Sequence, residues 1–111
     1  MPDANIAENS EIKRIVEAIL GAVPALEIYL FGSFANGTAR EDSDFDFYVV
    51  IPDDGMRAIE ATWKIQGAIE NGTRGIDMLV GTRSKFDRYK DTLSFIEREV
   101  VKTGVKLYGQ S

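Results

Sequence analysis

Residues 32–49 read Gly-Ser-Phe-Ala-Asn-Gly-Thr-Ala-Arg-Glu-Asp-Ser-Asp-Phe-Asp-Phe-Tyr-Val: a glycine-serine turn, a short polar segment, then Ser43-Asp44-Phe45-Asp46 entering an apolar run. From Asp44 to Ile51 the pattern alternates, with Phe45, Phe47, Val49 and Ile51 on one face and Asp44, Asp46, Tyr48 and Val50 on the other. That period predicts a strand ended by Pro52. Successive side chains of a strand point to opposite faces, so Asp44 and Asp46 share a face about 7 Å apart along the chain. Strands disfavour Asp, and two carboxylates so placed repel unless a cation sits between them. Mg²⁺ is usually held by one or two carboxylates together with substrate phosphates. The Gly32-Ser33 turn can offer backbone N–H donors to such phosphates at a helix N-terminus.

Working outward, Leu26–Phe31 is rich in β-favouring residues and breaks at Gly32-Ser33, so a strand feeds the turn and Ser33–Thr38 reads as one helical turn. Gly75–Gly81 sets Ile76, Met78 and Val80 opposite Asp77 and Leu79, a third strand with one face toward a core. Ile12, Ile15, Val16, Ile19 and Leu20 recur at helical spacing, with Ser10 as cap and Gly21 and Pro24 as stop. Met56, Ile59, Trp63 and Ile69, with Ala61, Ile65 and Ala68, predict a helix between Asp54 and Asn71 that ends at Gly72. Ser84–Lys90 reads as a helix capped by Ser84. In Ser94–Thr103, Ser94 and Glu97 form a capping-box pattern and Gly104 closes the helix. Val105–Tyr108 adds an edge strand. The expected fold is α+β, a small mixed or antiparallel sheet with helices packed on one face and Asp44, Asp46 and Asp77 at one end. The chain 1–111 is expected to be one domain with residues 1–9 flexible.

Composition narrows the chemistry. The absence of cysteine excludes disulfides, thiolate metal sites and thiol nucleophiles, and the absence of histidine removes Ser-His-Asp and zinc hydrolase schemes. Catalysis would rest on carboxylates and metal. A net charge of −5 makes a nucleic-acid partner gathered by phosphate attraction unlikely. No apolar run is long enough to span a bilayer, and Met1–Ser10 has no signal-peptide core, which points to the cytoplasm.

Two familiar motifs fail on this segment. Gly32-x-x-x-x-Gly37 follows a strand as a P-loop would, but Thr38 stands where its lysine is required. Asp42-x-Asp44-x-Asp46 begins like a calcium-binding EF-hand loop, yet Phe47 replaces the required glycine and the apolar run fills the second half. The pattern that remains is Gly32-Ser33-Phe34-Ala35-Asn36-Gly37, then Ser43-Asp44-Phe45-Asp46-Phe47-Tyr48-Val49, then Gly75-Ile76-Asp77-Met78-Leu79-Val80. In this the chain resembles the minimal nucleotidyltransferases of the DNA polymerase beta superfamily.

The resemblance implies a nucleotidyltransferase fold, with Asp44 and Asp46 as ligands of Mg²⁺, two ions in all, and Asp77 as a third acid that completes the site and helps activate the attacking hydroxyl. It implies that Gly32 and Ser33, with Gly37, Ser43 and Arg40, bind the nucleotide, ATP being the substrate. Family members often carry an arginine beside the second glycine where this chain has Asn36, a place that Arg40 could fill. Minimal nucleotidyltransferases are commonly paired with a helical HEPN-type protein as antitoxin to toxin, and the reaction implied is AMP transfer from ATP to a tyrosine of that partner. The alternative is a catalytically weak or silent module that neutralises its partner by contact alone. Trp63 and Tyr89 are the candidates for a partner-facing patch, and Gly32→Val is expected to weaken nucleotide binding with the fold largely intact.

Overall fold

The computed structural model describes residues 9–38, 44–69 and 75–109. Ser43, Arg40 and Gly72, and the N-terminal residues 1–8, lie outside the described residues. The chain forms α1 (Ser10–Ala22), β1 (Glu27–Phe31), α2 (Ser33–Asn36), β2 (Phe45–Ile51), α3 (Ala58–Ala68), β3 (Ile76–Thr82), α4 (Arg83–Tyr89), α5 (Ile96–Thr103) and β4 (Val105–Tyr108). The four strands form one sheet in the order β3-β2-β1-β4. β1 runs antiparallel to β2 and β4, while β2 and β3 are parallel.

β2 lies inside the sheet, and its alternation divides the core. Phe45, Phe47, Val49 and Ile51 pack with Ile28 and Leu30 of β1, with Ile12, Ile15 and Ile19 of α1, and with Ala61 and Ile65 of α3. Ile76, Met78 and Val80 of β3 join this cluster from the edge, as their spacing predicts. Burial of each large apolar side chain here contributes about 1.5–3 kcal/mol, so β2 alone anchors much of the fold.

The other face departs from the expectation that helices cover one side only. Tyr29, Phe31, Tyr48 and Val50 form a second cluster with Phe86 of α4 and Val100 of α5. The α+β class with a small mixed sheet stands, but helices pack on both faces. The reason is visible in β2: Tyr48 and Val50 are as fully buried as the face opposite. Phe86 supplies the cover, with its ring 5.4 Å from that of Tyr29 and 5.3 Å from that of Tyr48.

Helix ends also differ from the sequence reading, because local capping competes with tertiary contacts. Asn9, not Ser10, caps α1, its Oδ1 accepting the N–H groups of Glu11 and Ile12 at 2.9 and 3.0 Å, and Gly21 lies within the helix. Thr82, not Ser84, caps α4, while the Ser84 N–H is donated to Asp53 Oδ1 at 2.8 Å. No capping box forms at α5. Ser94 adopts a left-handed φ of 75°, and the Glu97 side chain turns inward instead of back to the helix start.

Glu97 is 1% exposed. Its Oε2 accepts the Tyr48 hydroxyl at 2.7 Å and lies 3.7 Å from Lys85 Nζ. This contact ties α5 to the central strand, and burial with the facing carboxylate drives the Tyr48 hydroxyl well above its ordinary pKa. Gly81 belongs to the same joint, since a Cβ there would collide with the Tyr48 hydroxyl. Tyr48→Phe leaves a buried carboxylate short of its donor and should destabilise the protein by about 1–3 kcal/mol. Urea unfolding of Tyr48→Phe and of Tyr48→Phe with Glu97→Leu checks this. The double variant should recover most of the loss, and equal losses in both would show that Tyr48 acts through packing alone.

Candidate functional site

Asp46 and Asp77 are each the second residue of their strand, and the parallel register of β2 and β3 pairs them directly. Asp44 immediately precedes β2. On its other side Asp46 pairs with Phe31, the last residue of β1, so the chain passes from Phe31 into Gly32 beside the Asp46 carboxylate. Hydrogen-bonded register thus sets Asp46 and Asp77 side by side at one end of the sheet, as expected, while Asp44, expected on the strand, lies just before it.

Two glycines clear space for the acids. Gly32 has φ 76° and ψ −152°, a backbone region that L side chains rarely adopt, and a Cβ there would collide with Asp46 Oδ2. At Gly75 a Cβ would collide with Asp44 Oδ1, while the Gly75 carbonyl accepts the Phe45 N–H at 3.0 Å and extends the β2–β3 pairing. This overturns the expectation that Gly32→Val leaves the fold largely intact, because the turn is folded against the acid site. The role of Gly75 was not read from the sequence beyond its place in the motif; its signal is a glycine directly before a strand that carries an acid.

Residues 32–38, which follow β1, are held by packing. Ala35 is buried, and the Phe34 ring lies 4.5 Å from that of Phe45. α2 ends at Gly37, whose left-handed φ of 83° suits glycine, and the Thr38 N–H is donated to the Ser33 carbonyl at 3.0 Å. Gly32, Ser33 and Gly37 therefore sit on a fixed turn, with Gly32 touching the acids. The two other residues expected at the nucleotide, Ser43 and Arg40, lie outside the described residues.

Burial, a hydrogen bond shared with Asp77, and the charges of Asp77 and Asp44 push the Asp46 carboxyl up to about 6. A carboxylate that resists ionisation because it is buried and other carboxylates crowd it is one that a cation would stabilise. The donor set, oxygen only, suits a hard divalent ion. Asp46 and Asp77 form the close pair, with Asp44 leaning toward Gly75. Among the described residues no three Asp or Glu side chains converge tightly enough to enclose an ion as they stand. Two open pockets of about 610 and 590 Å³ lie elsewhere, one between Leu26, Glu27, Arg83 and Tyr108 and the other against α4.

The family model for the nucleotidyltransferase domain matches residues 10–107, and the chain belongs to that family. Its members typically use a nucleoside triphosphate and a divalent metal. No curated protein matches the sequence. Among solved structures, the chain is similar to a candidate nucleotidyltransferase from Sulfolobus solfataricus, with TM-score 0.64 and 23% identity over 98% of this chain and 85% of that one. It is also similar to a chain of a toxin–antitoxin complex crystallised with AMP-PNP, with TM-score 0.63 and 25% identity over 93% of this chain and 76% of that one. A third likeness, with TM-score 0.65 and 23% identity over 93% of this chain and 76% of that one, is to the toxin–antitoxin MntA–HpeT in a variant with two aspartates changed to glutamate. The fold and the enzyme class are those of nucleotidyltransferases.

The raised Asp46 pKa fixes a sign. The folded protein holds the Asp46 proton more tightly than the unfolded chain, in which the pKa is about 3.9. In the absence of divalent ions this group costs stability as pH rises from about 4 to about 6, and the cost stays constant above that range. Asp46→Asn should therefore raise the melting temperature in EDTA at pH 7 and give no gain at pH 4. Calorimetric scans of wild type and variant across this range check the difference. A variant less stable at pH 7 would contradict the crowding of the three acids.

Proposed function

We infer that this protein is a Mg²⁺-dependent nucleotidyltransferase that moves AMP from ATP to a hydroxyl, the tyrosine of a helical HEPN-type toxin, and so acts as the antitoxin of a cytoplasmic pair. The observation that carries this reading is the pairing of Asp46 with Asp77 beside the glycine turn at Gly32. The likeness to a toxin–antitoxin complex that holds AMP-PNP supports it. So does the MntA–HpeT variant, in which the two substituted aspartates are two positions apart, the spacing of Asp44 and Asp46.

In this reading Asp44, Asp46 and Asp77 hold the metal, two ions in the full complex. Bound Mg²⁺ supplies charge neutralisation on the phosphates and orients the attacking oxygen. Gly32 lets the backbone approach the triphosphate without a side chain between them, Ser33 adds a hydroxyl, and Gly37 sets the exit of the turn. Ser43 and Arg40 complete the nucleotide contacts. Asp77, next to Asp46 on the edge strand, takes the proton as the acceptor oxygen bonds to the α-phosphorus and the bond to the leaving pyrophosphate breaks. Transfer of this kind is mainly positioning and electrostatic stabilisation, which a domain of this size can provide.

The rival reading, a module that neutralises its partner by contact, draws on the exposed side chains. Trp63 is 64% exposed on α3 with Ile59 one turn before it, an apolar surface fit to meet another protein. Tyr89 is a weaker candidate, because its ring is stacked 4.2 Å from that of Phe95.

Titration calorimetry separates the metal claim from the partner claim. Asp44→Asn and Asp46→Asn should each weaken Mg²⁺–ATP binding by about tenfold or more, equivalent to about 1.4 kcal/mol. Unchanged affinity in both variants would remove the metal site. Incubation with ATP, Mg²⁺ and the genomically adjacent helical protein should add AMP to that partner, as read by mass spectrometry, and Asp77→Asn should abolish the label. A tight complex with no transfer would favour the binding module.

A further inference from the structure

Charge is unevenly divided along this chain. Residues 83–111 carry seven basic and four acidic side chains, whereas residues 1–82 carry six basic and fourteen acidic ones. This basic segment includes α4, which lies on the same face of the sheet as Asp46 and Tyr48. Against α4 lies an open pocket of about 590 Å³ lined by Thr82, Ser84, Lys85, Arg88 and Tyr89. It begins at the opposite end of β3 from Asp77, five residues or about 17 Å along the strand, so it is separate from the acid site.

The lining combines three kinds of group. Lys85 and Arg88 bring positive charge, Thr82 and Ser84 bring hydroxyls, and Tyr89 brings an aromatic ring made rigid by its stack on Phe95, with the planes 6° apart. Of the nearby acids, Glu97 is bonded by the Tyr48 hydroxyl and approached at 3.7 Å by Lys85, whose charge it shares, while Asp53 accepts the Ser84 N–H and keeps its negative charge beside Ser84. Asp87 is engaged by Arg83 and Lys90 at 3.2 and 3.5 Å. Among the described residues the Arg88 guanidinium has no ion-pair partner. A planar guanidinium beside an ammonium and two hydroxyls suits a phosphate, and a fixed aromatic ring suits a nucleobase.

We propose that the α4 pocket is a second ligand site of this protein, binding a phosphate attached to a nucleobase, either a free nucleotide or a terminal nucleotide of RNA. The overall charge of −5 does not oppose this, because the acidic residues are concentrated in the other part of the chain. An acidic peptide would satisfy Arg88 but would leave the Tyr89 ring unused, so the pocket favours a nucleotide. The proposal is independent of the transfer reaction and requires no metal.

The isotope-labelled protein in EDTA, titrated with AMP, inorganic phosphate, a short RNA with a terminal phosphate and a poly-glutamate peptide, tests this by amide chemical shifts. AMP should shift the amides of Thr82–Tyr89 and leave those of Gly32 and Asp46 in place. It should bind about fivefold or more tightly than phosphate, and Tyr89→Leu should erase that advantage. Arg88→Ala should weaken both ligands, and Asp77→Asn neither. Tighter binding of RNA than of AMP identifies a strand end as the ligand, and equal binding a free nucleotide. No shift at millimolar AMP, an equal response to poly-glutamate, or full binding by Arg88→Ala would overturn the proposal.

Discussion

The parallel register of β2 against β3 is the constraint from which the rest of this structure follows. It sets Asp46 beside Asp77, and burial of Asp46, together with the shared hydrogen bond and the charges of Asp77 and Asp44, pushes its carboxyl up to about 6. What holds the acids together is the remainder of the same two strands. Phe45, Phe47, Val49 and Ile51 are buried against α1 and α3, and Tyr48 and Val50 against α4 and α5. Burial of six large side chains on one strand, at about 1.5–3 kcal/mol each, far exceeds the repulsion at its end. The core thus holds together a cluster of acids that would be unfavourable alone.

The glycines show how closely the backbone is fitted to the acids. Gly32 and Gly75 lie against Asp46 and Asp44, so the turn after β1 and the entry to β3 converge on the same carboxylates. Any side chain at Gly32 would be strained in φ and would displace Asp46. The glycine turn after β1 and the acid-bearing ends of β2 and β3 are therefore one mechanical unit in this protein, and a substitution in either disturbs both.

Strands were legible in the sequence because alternation over 44–51 and 75–81 is a local signal that tertiary packing reinforces. The placement of Asp46 and Asp77 was legible for the same reason, since both lie on those strands, and the turn is marked by Gly32 and Gly37. Helix caps were not. Asn9, Thr82 and Ser94 each adopt a role or conformation settled by neighbours, and Glu97 leaves its expected cap for the buried hydroxyl of Tyr48, 49 residues away. The second helical layer was missed because Tyr48 and Val50 share their face with two aspartates. That face is acidic at one end and fully buried along the rest, a change that alternation alone does not reveal.

The most direct measurement of the account is paramagnetic broadening by Mn²⁺, with AMP-PNP present, in the isotope-labelled protein. The paired acids predict loss of amide signal centred on Asp46, Asp77, Gly32 and Gly75, with Asp46→Asn restoring the signals. Broadening centred on Asp53 and Asp54 instead, or unchanged in Asp46→Asn, would contradict the claim that the β2–β3 register builds the metal site.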